Sequence, residues 1–392
     1  MRHFGHLEEG VRAGLFHEQP RRFDADASAE TLSYALGATL YSPATRPALA
    51  DDVVKLAGRG VISMVLCLED SIADGEVPAA EENLVRQFAL LADLAERGAD
   101  LPLIFVRVRT PEQITDLVRR LGGTVRLLSG FVLPKFTEES GGPFLEALTA
   151  AESDSGHRLF AMPVLESPQL LHLETRHETL LGISRVVDKY RDRVLVLRLG
   201  VTDFCSAYGL RRPPDLTAYD VHVVACAIAD VVNVLGRADG TGYVVTGPVW
   251  EYFKAGERMF KPQLRRSPFL QVAPRAEKLR TQLIEHDMDG LLREIELDRA
   301  NGLLGKTCIH PTHVAPVHAL SVVTHEEYTD ALDILQVDRA GGGVLRSAYT
   351  NKMNEAKPHR AWAERTLRRA EVFGVAREDI SFVELLTASL PS

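Results

Sequence analysis

The chain has little of what marks several large protein classes. Only four cysteines occur in 392 residues, Cys67, Cys205, Cys226 and Cys308. They lie far apart, without CxxC or zinc-type spacing, and read as reduced core thiols rather than a disulfide or metal framework. There is no basic excess: the formal net charge is -9, which argues against a life on nucleic acid, where phosphates call for a concentrated basic surface. Nowhere do about 18 apolar residues run without charge, and the Met1-Arg2-His3-Phe4 start carries no apolar stretch behind a basic one. The expectation is a cytoplasmic protein with no membrane partner. No P-loop, GxGxxG after a strand, HExxH or GxSxG is present, and neither a repeat nor a low-complexity segment is visible.

What is present is an ordinary globular composition, 45% hydrophobic and 25% charged, and enough chain for a barrel of roughly 250 to 300 residues plus extensions. From about residue 38, short β-rich runs alternate with longer amphipathic stretches, the pattern of βα units. Strands are expected at Thr39–Pro43, Ser63–Asp70, Pro102–Val108, Gly130–Lys135, Leu159–Glu166, Val194–Asp203, Tyr243–Pro248 and Lys306–Pro311. Helices are expected at Ala48–Ala57, Ala79–Arg97, Pro111–Leu121, Leu145–Glu152, Tyr219–Leu235 and Ala276–Asp298, where apolar residues recur at three- and four-residue spacing. An open doubly wound sheet gives a similar alternation. The polar strand endings favour closure into an α/β, (β/α)8 TIM barrel, because all C-terminal strand ends then face one mouth.

The domain reading follows. Residues 1–37 are a polar N-terminal extension, packed outside or partly mobile; 38–322 form the barrel; 323–392 form a C-terminal helical segment. The last contains helical stretches at Glu326–Leu335 and around Arg360–Phe373, separated by Ala340-Gly341-Gly342-Gly343, a candidate hinge. An arm beyond such a hinge suits a homo-oligomer.

The candidate chemistry sits at the strand ends. Glu166 and Asp203 end neighbouring strands and offer the oxygen ligands that a hard dication needs, magnesium fitting best. The alternative is that each caps a helix or pairs with an arginine. Arg107 ends the run Leu103-Ile104-Phe105-Val106 and can present a guanidinium to a carboxylate; Arg109 is more simply an ion-pair partner. Of Glu69 and Asp70, one is expected to face inward and the other the helical layer, with a catalytic role or an orienting one toward Lys306 or Arg107. Lys135 suits a Schiff-base lysine, but a metal site makes an imine unnecessary, so an electrostatic role is favoured. Lys306 opens the last strand and His310 lies near its end, the latter read as structural.

Several of these runs resemble the HpcH/HpaI aldolase and citrate lyase beta-subunit family. Leu40-Tyr41-Ser42-Pro43 is similar to its first strand, Leu68-Glu69-Asp70-Ser71-Ile72 to its LEDxV block, Arg107-Val108 to RVN and Pro134-Lys135 to PK. Leu165-Glu166-Ser167 resembles the IET block with the first metal ligand, Gly200-Val201-Thr202-Asp203-Phe204 the GxxDL block with the second, and Gly305-Lys306-Thr307-Cys308-Ile309-His310-Pro311 the GKxxIHP block. They run in family order from residue 39 to 311. The resemblance implies a TIM barrel and a Mg2+-dependent carbon–carbon lyase or aldolase. It would act on a 2-oxo or 3-hydroxy acid, free or as an acyl-CoA ester, with Arg107 and the metal stabilising an enolate. Thioester hydrolysis, or condensation of the malate synthase kind, at the same site is the second enzymatic reading. A non-catalytic assembly component of a larger complex is the third.

The resemblance also implies that Glu355, in Asn351-Lys352-Met353-Asn354-Glu355 where the family has GKMxD, completes a neighbouring subunit's site. The family arginine before the first strand is absent, Gly37-Ala38-Thr39 standing there, and Arg46 is the candidate replacement for substrate binding unless it is a surface ion pair. The extra length is similar to the long branch of carbon–carbon lyases associated with tellurium-resistance gene clusters.

Overall fold

The computed structural model describes residues 1–253, 288–339 and 343–389. Ahead of the barrel lie the helix Glu9–Leu15, strand β1 (Phe16–Glu18) and the helix Ala29–Ala35. Eight parallel strands follow: β2 (Ala38–Pro43), β3 (Ser63–Cys67), β4 (Leu103–Arg107), β5 (Leu128–Leu133), β6 (Phe160–Leu165), β7 (Leu197–Leu199), β8 (Val245–Thr246) and β9 (Lys306–Cys308). Each neighbours the next in space, with β9 returning beside β2. One parallel bridge, Gly247 with Lys306, joins β9 to the end of β8 and closes the ring. The TIM-barrel expectation holds.

Side-chain alternation divides each strand between two cores. Inward residues Val65, Phe105, Val132, Met162, Val164 and Val196 fill the barrel, and Leu32 and Leu36 pack beneath them. The expected external extension therefore includes a plug. Ser28 caps the helix Ala29–Ala35 by accepting the Thr31 amide, and the two buried leucines close the N-terminal end of the barrel. Outward residues such as Leu66, Ile104, Leu133 and Leu197 meet the helices in the larger core.

The helix Glu138–Ser155 begins well before the expected Leu145. A capping box between Thr137 and Ser140 starts it ahead of Gly141-Gly142-Pro143. Gly141 has a packing reason: a Cβ there would lie 2.3 Å from the Phe136 ring. The helix Leu173–Lys189, which buries Leu180, Ile183 and Val187, makes the crossover from β6 to β7 and is not among the ranges named from sequence.

The expected helix Ala276–Asp298 falls partly outside the described residues, which show Met288–Ala300 as helical. The expected hinge residues Ala340, Gly341 and Gly342 also lie outside them. The hairpin β10 (Val344–Arg346) with β11 (Met353–Glu355) leads into the helix Ala356–Phe373, after which β12 (Val375–Ala376) pairs with β1. Three cysteines are buried as expected, but Cys226 is exposed on the outer face of its helix. Among the described residues no helix is long and apolar enough to cross a membrane.

Candidate functional site

The C-terminal strand ends surround a cavity of about 800 Å³ whose lining includes Tyr41, Arg107, Glu166, Arg198, Asp203 and Thr307. Arg107, the last residue of β4, is its organising cation. One Nη donates to Glu166 Oε1 at 3.0 Å and approaches Glu69 Oε2 at 2.6 Å and Asp70 Oδ2 at 3.2 Å. Its Nε is buried without a partner. Lys135 follows β5, and its Nζ lies 2.8 Å from Glu69 Oε1 and 3.6 Å from Asp70 Oδ1. Its backbone takes a left-handed φ of 48°, a conformation uncommon for a residue with a side chain. That turn aims the Lys135 amide at Glu166 Oε1, 2.8 Å away.

Glu166 is therefore fixed through one oxygen by two donors. Its other oxygen lies against Gly200, where a Cβ would come within 2.5 Å of Oε2 and 2.3 Å of the Glu166 Cβ. Only glycine lets this carboxylate approach the short helix Val201–Ser206, whose first turn carries Asp203.

Electrostatics follow from this crowding. Burial pushes Glu166 up to about 7; Arg107 opposes that shift and Asp203 adds to it. Asp203 is also raised, by burial and then by Asp70. Glu69 is raised chiefly by burial. At Asp70 burial acts upward too, but Glu69, Arg107 and Lys135 together lower the pKa. For Arg107 burial opposes the charge, yet Glu166, Tyr41 and Glu69 more than offset it and hold the guanidinium protonated. Around Arg107, four carboxylates thus face two cations.

Residues 30–375 match the family described as "C-C_Bond_Lyase of the TIM-Barrel fold". The chain belongs to that family. No curated protein matches it. Among solved structures it is similar to protein CitE from Mycobacterium tuberculosis in complex with magnesium, acetoacetate and coenzyme A, at 19% identity and TM-score 0.52, over 86% of this chain and 99% of that one. It is also similar to the citrate lyase beta subunit complexed with oxaloacetate and magnesium from M. tuberculosis, at 18% identity and TM-score 0.44, over 73% and 97% of the two chains. The Haloferax volcanii malate synthase lead(II) complex matches at 17% identity and TM-score 0.49, over 72% of each. At such identities the likeness is one of fold.

In this member of the family the barrel brings together Arg107, Lys135, Glu69, Asp70, Glu166 and Asp203. Two details differ from the sequence reading. Strand β3 ends at Cys67, so strand parity no longer separates Glu69 from Asp70, and both reach the mouth. The strand expected to run to Asp203 stops at Leu199, so Asp203 stands on a helical turn rather than at a strand end.

Three other residues are placed elsewhere. Lys306 points from β9 into the helical layer, 2.9 Å from Glu294 and 2.6 Å from Asp298; its neighbour Thr307 takes the inward position. Arg46 is turned onto Asp52 at 2.6 Å, 53% exposed. Glu355 is exposed on β11, its amide donating to His359 Nδ1. Arg109 holds the loop after β3 through the Leu68, Glu69 and Ile72 carbonyls. His310 accepts the Thr312 amide and stacks on Phe253 with centroids 4.7 Å apart, in keeping with a structural role.

Sequence reasoning missed Arg198, which is 1% exposed and lines the mouth. The available signal was an arginine flanked by leucines in an apolar strand. A second hollow of about 370 Å³, bordered by His6, Gly60 and His318, lacks the convergence of acids and bases found at the mouth.

Proposed function

We propose that this family member is a magnesium-dependent carbon–carbon lyase acting on a 2-oxo or 3-hydroxy acid at the barrel mouth. The observation that carries the reading is the charge count around Arg107: four carboxylates against two cations. Glu69 and Asp70 are engaged by Lys135 and Arg107, and Glu166 is held through one oxygen by Arg107, yet Glu166 and Asp203 are both pushed upward, Glu166 partly by Asp203. Such a pair suits a dication. Among the described residues no three His, Cys, Asp or Glu side chains form a metal cluster; two carboxylates, with water and substrate oxygens, suffice for magnesium. The donor set is hard oxygen, and the Gly200 gap gives Glu166 room beside Asp203, so the residues fit the ion.

When bound there, magnesium would supply positive charge to the oxygens of an oxo acid. The protein's own groups do the rest. Arg107, locked by Glu69 and Glu166, offers its remaining N–H groups to the substrate carboxylate and to the carbonyl oxygen on which charge develops as the adjacent carbon–carbon bond breaks. Glu69 keeps Arg107 and Lys135 at fixed separation. Lys135 adds a second positive charge at the rim, held protonated against burial by Glu69 and Asp70. The family description supports bond cleavage of this kind, and magnesium is present in the CitE complex of similar fold.

Calorimetric titration of magnesium, with and without oxaloacetate or pyruvate, into the native protein and Asp203→Ala tests the reading. Metal-dependent oxo-acid binding confined to the native protein is expected. Absence of magnesium binding in both would sink it.

A further inference from the structure

Among the described residues, Arg198 is a cation without a carboxylate. Its strand parity turns it inward from β7 across β8, so that Nη2 donates to Thr307 Oγ1 at 2.6 Å on β9 and Nη1 donates to Thr39 Oγ1 at 3.3 Å on β2. Its third polar neighbour is the Met162 sulfur at 3.9 Å. Its Nε is buried with no hydrogen-bond partner among the described residues, and the Tyr41 ring lies 5.5 Å from its Cζ. A guanidinium stays charged in a protein, and a buried charge facing only neutral groups is costly. The balanced arginines of this molecule look different: Arg212, 2% exposed, meets the carboxylate of Glu294.

The hydroxyl of Thr307 adds to the case. Thr307 Oγ1 accepts from Arg198. Its own proton is available to donate. Thr307 and Arg198 both line the mouth cavity, as does Arg107. The floor of the cavity therefore offers the Thr307 hydroxyl beside a positive charge that no carboxylate compensates among the described residues. A single flat monoanion, which a guanidinium can hold through paired N–H groups, matches it in charge and shape.

We infer that Arg198 and Thr307 form a second anion subsite on the mouth floor, taking a carboxylate remote from the reacting carbonyl, so that the substrate is a dicarboxylic oxo or hydroxy acid. This rests on the oxo-acid site proposed above. Arg198 is a specificity residue, and Thr39 positions it.

The test uses two stable acids that differ by one carboxylate, L-malate and L-lactate. Each is titrated calorimetrically, with and without magnesium, into the native protein, Arg198→Gln, Arg198→Lys and Thr307→Val. The native protein should prefer malate by about tenfold or more, the order expected for a buried charge pair. Arg198→Gln should abolish that preference with lactate affinity and magnesium affinity unchanged, and Arg198→Lys should restore part of it. Thr307→Val, which keeps the charge but loses a donor, should weaken the preference by a smaller factor; it serves as the readout if Arg198→Gln does not fold. Equal affinity for the two acids in the native protein, or none for either, overturns the inference. So does a preference that survives Arg198→Gln, or one lost together with lactate and magnesium binding. A malate preference that needs Arg198 but no magnesium upholds the subsite and removes the metal reading; magnesium-dependent lactate binding without a malate preference does the reverse.

Discussion

Two charged clusters in this barrel are built from the same residue types and reach opposite ends. Behind β9, Lys306 and Arg212 meet Glu294 and Asp298, all at most 3% exposed. Two cations face two carboxylates, and the spare acceptors are filled: the Ala218 amide donates to Glu294 at 2.7 Å and the Tyr219 hydroxyl to Asp298 at 2.8 Å. Around Arg107 at the mouth, two cations face four carboxylates, and Arg107 keeps an Nε orphaned among the described residues. The first cluster is closed by its own members. The second is complete only with something added. A balanced buried network holds a helix to a strand, whereas an unbalanced one at a strand-end cavity is poised to bind.

Breaking each cluster should therefore break a different property. The largest effect belongs to the mouth: Asp203→Ala should weaken magnesium binding by about 100-fold or more, since even outer-shell changes cost about 10- to 100-fold. Its thermal midpoint should not fall, because a carboxylate pushed upward by burial and by Asp70 is not a stabilising charge. Next comes Lys306→Met, which strands Glu294 and Asp298 without their shared partner and should cost about 3–5 kcal/mol in denaturant unfolding. Magnesium affinity, measured on the folded fraction, should be unchanged; a folded Lys306→Met that no longer binds metal would mean that the two clusters are one. Leu32→Ala probes the plug at the far end of the barrel. It should cost about 2–5 kcal/mol, again with the mouth intact.

The same contrast explains what could be read from sequence. Arg107, Lys135 and Glu166 were legible because each follows an unbroken apolar run, and in a parallel barrel such ends converge whatever the details. Asp203 was right in neighbourhood but not in setting, since Gly200 ends the strand early to make room for Glu166. Lys306 was misplaced because Lys306-Thr307-Cys308 has no apolar alternation to fix its parity, and a one-residue slip exchanges the two faces. Its partners left a trace that was not used: Glu294 and Asp298 stand one turn apart on a helix. Arg198 went unnoticed because its significance lies in what it lacks, a carboxylate, and only the packed barrel reveals that. The Ala29–Ala35 plug had a polar, motif-free sequence around it, and just Leu32 and Leu36 to mark its buried face.

The smallest expected effect concerns the far end again. His318 Nε2 accepts the Ala38 amide at 3.2 Å, which requires a neutral ring, and His3 packs edge-on against it with centroids 4.5 Å apart. Burial lowers His3 to about 3, His313 to about 4 and His318 well below its ordinary value. All three folded pKa values are depressed below the unfolded value of about 6.5, so the unfolded chain takes up protons that the native state refuses. The stability they allow is fully present above about pH 6.5 and is lost as pH falls toward 4 and below, each histidine contributing a slope of about 1.4 kcal/mol per pH unit in that window. His318→Gln can keep an acceptor for Ala38 while removing the titration. Urea midpoints between pH 7 and 5 should then fall less steeply by the equivalent of one proton, and magnesium affinity at pH 7 should match the native protein. An unchanged slope would leave the acid sensitivity with His3 and His313, whose depressed values act in the same direction, because Glu166, Glu69 and Asp203, raised in the folded state, act in the opposite one.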